Sequence, residues 1–375
     1  MKTVNGYEII QLFESFSPKK YAMEGDPIGL QIGKLNKPIK NVMIALDILD
    51  EVVDEAIEKN VQLIIAHHPL IFRPLKNLLT DQAQGKIIEK LIKHDIAVYA
   101  AHTNLDVAIG GVNDLLAEAL QLQNTEVLDP TYEDKLKKLV VYVPVDYEEE
   151  VRNAIGKAGA GAIGQYSHCS FSSEGTGRFL PSEHSSPFIG AKGKLESVKE
   201  NKIETIIPAS IEKRVITAMI KAHPYEEVAY DIYPLENKGQ VLGLGRIGML
   251  NEEMSLEQFA EHVKKTLEVN TVRVVGDLHA RINKVAVLGG DGNKYFSKAK
   301  FKGADVFVTG DFYYHNAHDA MQMGLNIIDP GHNVEKVMKK GVAERLSKMC
   351  KDKGYSVQFI PSTIHTDPFT FESIS

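Results

Sequence analysis

The chain has 375 residues, a formal net charge of −7, 43% hydrophobic and 25% charged residues, and no Trp. That length holds two or three domains with substantial cores, and the acidic balance excludes a whole-surface nucleic-acid binder, which carries a basic excess. Cys169 and Cys350 lack CxxC spacing, which excludes a disulfide framework or thiolate zinc site; without a signal-peptide core at "MKTVNGYEII" or an apolar run of about 20 residues, a soluble cytoplasmic protein is expected.

In chain order, "NVMIALDI" (41–48) reads as a strand and "LDEVVDEAIEKN" as a helix, through the spacing of Val52, Val53, Ala56 and Ile57. "VQLIIAHH" is a second strand, "QGKIIEKLIKHD" a helix, "IAVYAAH" (96–102) a third strand, and a helix follows from about Asn113. Such alternation predicts a mainly parallel sheet covered by helices. The pattern then changes. "KLKKLVVYVPV" opens a strand, a helix (147–158), a strand, the loop-like "SSEGTGRFLPSEHSSPFIGAKGK", the strand "KIETIIPA", a helix (210–222) and the strand "EEVAYDIYPL". This β-α-β-β-α-β order is that of ferredoxin-like domains.

From Gly239 the α/β pattern returns: helix 255–268, strand "KVAVLGG", a helix around 295–301, strand "DVFVTG", helix 313–323, strand "LNIID", helix 333–349 and strand "YSVQFIPS". The fold class expected is therefore α/β. A discontinuous body, residues 1–132 and 239–375, is interrupted by an inserted α+β domain, residues 133–238, flanked by the exposed-type junctions "DPTYEDK" and "ENKGQ".

Four apolar strands end in metal-type side chains. "LIIAHHPLIF" carries His67 and His68 with Pro69 stopping the ladder; "YAAHTNLDV" carries His102, Asn104 and Asp106. "TGDFYYHNAHDA" carries Asp311, His315 and His318, and "IIDPGHNVEK" carries His332 and Glu335, three apart on one helical face. Carboxyl ends of strands are where open α/β sheets place ligands, so one sheet edge is expected to gather imidazoles and carboxylates. Histidine with carboxylate and no thiolate suits zinc, manganese, iron or nickel in a hydrolytic site, and the count fits two ions, with Asp106 a natural bridge.

Other motifs read as weaker. "GLGRIG" (243–248) has the dinucleotide-binding glycine spacing without the strand before it and helix after it. In "LGGDGNK", Gly289, Gly290 and Gly292 either receive an anion on their N–H groups or form a plain turn. His94 and His262 read as surface residues. His223, Glu226 and Glu227 in "HPYEEVAYD" could coordinate a ligand but read better as a loop, and "TIHTDPF" could bring His365 and Asp367 toward the site.

"AHHPLIF", "AHTNLDV", "TGDFYYHNAHDA" and "DPGHNVEK" resemble the dinuclear-metal-centre family of GTP cyclohydrolase I type 2 homologues, the NGG-interacting-factor-three-like proteins. "GDPIGLQIG" looks like that family's N-terminal signature, with Pro27 where many members have Asn. "YVPVDYEEEVRNAIGKAGAGAIGQYSHCSF" and "AHPYEEVAYD" are similar to the PII/CutA-like insert of its long bacterial form. The resemblance implies five metal ligands, His67, His68, Asp106, His332 and Glu335, holding two divalent ions per chain, zinc first and manganese, iron or nickel as alternatives. It makes His102, Asp311, His318 and His365 residues that orient the ligands or face the substrate. It implies a hydrolase of a nucleotide or related small molecule, GTP cyclohydrolase-like, in which two cations make hydroxide available from a bound water, and a homohexamer without membrane or nucleic-acid partners. The alternative is a regulatory or scaffold protein whose PII-like insert senses a metabolite.

Overall fold

The computed structural model describes residues 4–372. Backbone contacts divide the chain into two compact units, Met1–Tyr132 with Leu242–Ser375, and Glu133–Val241.

In the larger unit, three short apolar runs become strands buried on both faces: Asn41–Ala45, Leu63–Ala66 and Ala97–Ala100. They pair in parallel, with Gln358–Pro361 added in parallel beside Asn41–Ala45 and Gly29–Ile32 closing the other edge antiparallel. The returning half of the chain does not extend this sheet. It builds a second one, in which Arg281–Asp291, Val306–Gly310 and Asn326–Asp329 run parallel. Arg273–Val275 lies antiparallel at one edge, and Gln240–Ser255 and Gln123–Asp134 complete the other side. The expectation of one mainly parallel sheet is thus corrected to two, since the apolar runs that predict strands do not say which strands pair.

Helices fill the space between the sheets. Val337–Asp352 turns Met338, Val342, Leu346 and Cys350 inward at helical spacing and packs on the strands 41–45 and 358–361. Val112–Ala119 packs on the strand 281–291 and on that helix. Val42, Ile44, Leu63 and Ile65 of one sheet and Val285, Val287, Val306 and Val308 of the other belong to the same core as these helices. Asp50–Glu58 and Ala83–Lys93 cover the outer face of the first sheet, while Phe296–Phe301 and Tyr314–Gln322 cover the second.

The smaller unit runs strand 136–144, helix 148–157, strand 170–179, strand 196–208, helix 212–222 and strand 230–234. Its four strands are all antiparallel, ordered last–first–third–second across the sheet. Leu139, Val141, Val143, Ile203 and Ile207 face the helices, as the two-residue strand period requires. Residues 172–179, expected to be loop, are instead strand, because Ser170–Phe179 pairs along its whole length with Glu196–Thr205. A long hydrogen-bonded ladder overrides the loop-forming tendency of Ser and Gly there.

Candidate metal centre

The four strand ends singled out by sequence do converge, but from both sheets rather than one. His67 and His68 follow the strand 63–66 and still donate their backbone N–H groups to Ala45 and Leu46 carbonyls, at 3.0 and 2.9 Å. Asp106 sits in the short helix Thr103–Val107 that follows the strand 97–100. Asp311 follows the strand 306–310, and His332 and Glu335 occupy a 3-10 turn, His332–Lys336, after the strand 326–329. In a 3-10 turn side chains at i and i+3 eclipse, so His332 and Glu335 face the same way, 3.2 Å apart. Asp329 ties the two loops of the second sheet together, accepting from Phe312 N at 2.9 Å and Gly331 N at 2.8 Å.

Each of the four histidines has its Nδ1 occupied by an oxygen acceptor. His67 Nδ1–H donates to the Ala101 carbonyl at 2.9 Å, and His68 Nδ1–H to Asp47 at 2.6 Å. His102 donates to Asp26 at 2.8 Å and His332 to Asp311 at 2.7 Å. This fixes ring orientation and leaves Nε2 as the end that can meet a ligand, with those of His68 and His332 resting against Glu335. Three groupings of donors among the described residues have all ligand atoms within 4.8 Å of one another: His67, His68 and His102; His68, His332 and Glu335; and His67, Asp106 and Glu335. The carboxylate at the middle is Glu335, whose Oε2 lies 3.1 Å from His68, 3.2 Å from His332 and 3.7 Å from His67. Asp106 approaches His67 alone among these three, at 3.6 Å, so Glu335 is the carboxylate that touches most of the imidazoles.

Electrostatically the cluster asks for positive charge. Burial pushes the His68 imidazole down, but Asp47 and Glu335 outweigh it and hold it at about 10. Glu335 raises His332 to about 9 against the opposing effect of burial, with Asp311 helping. Burial favours the neutral acid at Glu335, yet His67, His332 and His68 hold its carboxyl well below the usual range. Burial drives Asp106 up to about 6, with His67 opposing.

The donor set fits a divalent cation. His67 Nε2 and Asp106 Oδ1 are buried, and each lacks a hydrogen-bond partner, a costly state for polar atoms unless a ligand satisfies them. Their 3.6 Å separation is close to the roughly 3.4 Å between neighbouring ligands on a tetrahedral ion with bonds of about 2.1 Å.

The structure also sorts the supporting residues. His102 reaches the donor cluster itself and Asp311 orients His332, whereas His315 and His318 stand exposed against the Tyr314 ring and His365 is exposed. The next residue, Thr366, donates to Asp47 and so reaches the site through His68. Asp47 and Asp26 were missed by sequence reasoning. Asp47 lies two residues past a buried strand, so the strand-end rule would have found it; Asp26 precedes an antiparallel edge strand and carries no such signal. The glycines of "LGGDGNK" offer no anion cradle at Gly289, whose N–H donates to Asn113. They make room instead: a Cβ on Gly289 or Gly290 would stand 2.9 Å from Glu335 Oε1. His223 coordinates nothing, since Nε2 donates to Tyr142 O and Nδ1 accepts from Tyr225 N. "GLGRIG" lies within the strand 240–255, where Arg246 is buried against Asp114 and two carbonyls.

Comparison with known proteins agrees along nearly the full length. The Duf34/NIF3 (NGG1p interacting factor 3) family model matches residues 4–368. A Bacillus subtilis protein named GTP cyclohydrolase 1 type 2 homolog is 66% identical over 370 residues, 99% of each chain, and its Halalkalibacterium halodurans namesake is 60% identical over 99% of this chain and 100% of the relative. Among solved structures, a Bacillus cereus protein related to NIF3 superposes with a TM-score of 0.95 at 66% identity, covering 99% of this chain and 100% of the other. A Staphylococcus aureus protein does so with a TM-score of 0.77 at 35% identity and the same coverage.

Proposed function

We propose, from the premise that this chain belongs to the Duf34/NIF3 family, that it is a dinuclear-metal-dependent hydrolase acting on a nucleotide or related small molecule. One observation carries the reading: His67, His68 and His332, each tied at Nδ1, turn Nε2 toward Glu335, with Asp106 beside His67 and His102 beside the His67–His68 pair. His67, His68, Asp106, His332 and Glu335 would hold two ions, zinc suiting the set and manganese, iron or nickel also compatible with it. When bound, such ions supply Lewis acidity and a water acidic enough to attack at neutral pH.

The chain's own groups do the rest. His67 and Glu335 form a dry floor, whereas the His332 and Asp311 side chains are 38% and 41% exposed, so substrate enters from their side. His102, oriented by Asp26 and partly exposed, is placed to take up and return a proton at Nε2. The Glu133–Val241 unit we read as an inserted PII/CutA-like domain, on its β-α-β-β-α-β order and its strand order. We read the working particle as a cytoplasmic homohexamer, the assembly that the family resemblance implies.

Elemental mass spectrometry of the purified protein and His68→Ala tests the site, with about two ions per chain expected in the first and a sharp loss in the second. Metal-replete protein that retained no ion would overturn the reading. GTP is the first substrate to assay, given the relatives' name. Asp106→Ala separates the reading from its rival, a scaffold held together by metal: the hydrolase keeps its oligomer and loses turnover, whereas the scaffold loses the oligomer by light scattering.

A further inference from the structure

The smaller unit carries a cavity of about 930 Å³ built wholly from its own residues. It lies on the sheet face away from the helices. Val141, Val143 and Ile203 point toward the helices, so the alternate residues Tyr142, Glu200 and Lys202 point the other way, into the cavity lining. The strand residues 173–179, the segment 180–189 and residues 225–229 supply the rest of the wall, the last two pinned where Glu226 accepts from Ser186 N at 2.8 Å.

Three features give this cavity a chemistry. Glu200 is a carboxylate only 8% exposed, and its Oε1 accepts from the Tyr225 hydroxyl at 2.9 Å. Its Oε2 faces Gly177, where an added Cβ would stand 2.0 Å away; a side chain there would displace the carboxylate. Aromatic rings stand round it, Phe179 and Phe188 with centroids 6.0 and 6.4 Å from Tyr225. Burying a carboxylate is costly unless hydrogen bonds or charge repay it, and one tyrosine hydroxyl repays little of that cost. A flat group with parallel N–H donors would satisfy both carboxylate oxygens, while one of its faces packs on an aromatic ring and its edge meets another.

We propose that this cavity binds a small molecule presenting two parallel N–H donors on a planar body to Glu200, with the body packed against the aromatic wall of Phe179, Phe188 and Tyr225. A guanine base and a guanidinium group are the two common sources of that edge. The site is separate in its residues from the donor cluster of the larger unit, so the proposal stands whether or not that cluster is catalytic.

Isothermal titration calorimetry of the full chain with guanosine, agmatine and adenosine tests it. One of the first two binds at one per chain with submillimolar affinity, and adenosine, which lacks the paired donors, binds at least about tenfold more weakly. Guanosine binding identifies a base site, and agmatine binding a guanidinium site. Glu200→Gln weakens the interaction at least about tenfold, His68→Ala leaves it unchanged, and Phe188→Ala, on an exposed segment, weakens it should Glu200→Gln fail to fold. No heat from either ligand up to about 5 mM, equal affinity for adenosine, or affinity unchanged in both cavity variants overturns the proposal.

Discussion

Replacing Glu55 by Gln should loosen the metal centre from a distance, by a route that can be weighed. Glu55 is buried in the helix Asp50–Glu58, where Oε2 accepts from Ser362 Oγ at 2.6 Å. Its Oε1 accepts from Thr363 N at 2.9 Å, Thr363 Oγ1 at 2.6 Å and Lys59 Nζ at 2.6 Å. Burial opposes ionisation, but these donors outweigh it and hold the carboxyl at about 2, against an ordinary 4.5. At about 1.4 kcal/mol per pH unit that difference bounds the contribution at about 3 kcal/mol. Lys59 is 32% exposed and its share is screened, and glutamine keeps some of the hydrogen bonds, so about 2 kcal/mol is the expected loss. For a unit of this size that lowers Tm by about 4 °C.

Because the folded pKa is depressed, the contribution is fully present above pH 4.5 and is lost as pH falls toward about 2. Calorimetric melts of chelator-treated wild type and Glu55→Gln should therefore differ at pH 7, with the gap narrowed to about half or less near pH 3. Equal Tm at pH 7, or a gap that persists undiminished at pH 3, would refute the reasoning. The same clasp anchors the segment whose Thr366 donates to Asp47, the acceptor for His68, so the variant should also bind metal more weakly.

Two further outcomes follow from the residues around the cluster. Asp47→Asn leaves His68 without its charged acceptor and should weaken metal binding by about 10–100-fold in competition with a chromophoric chelator. Gly290→Ala places a Cβ 2.9 Å from Glu335 Oε1 at a φ of +64°, and should cost about 1–2 kcal/mol in urea unfolding and displace the Glu335 carboxylate, with metal content falling in step.

The local content of the chain was readable from its residues. Apolar runs of four to eight residues between helical patterns mark the strands, and the polar residues that follow them mark which ends carry chemistry. His67, His68, His102, Asp106, His332 and Glu335 could be picked out in this way because each sits within a few residues of a buried strand. Period and punctuation are short-range properties, and sequence states them directly. Pairing is not. Two sheets, rather than one, bring residues 267 positions apart, His68 and Glu335, to 3.1 Å, and nothing local to either segment specifies that meeting. The same holds for what surrounds the donors. Asp26 beside His102, Thr366 behind Asp47 and the side-chain-free space at Gly289 and Gly290 exist only once the strands are packed, because a hydrogen bond across the fold depends on the neighbour that packing supplies. The donor types were therefore set by the sequence, while the choice of Glu335 over Asp106 as the central carboxylate was made by tertiary structure, through the side chains' distances to three imidazoles.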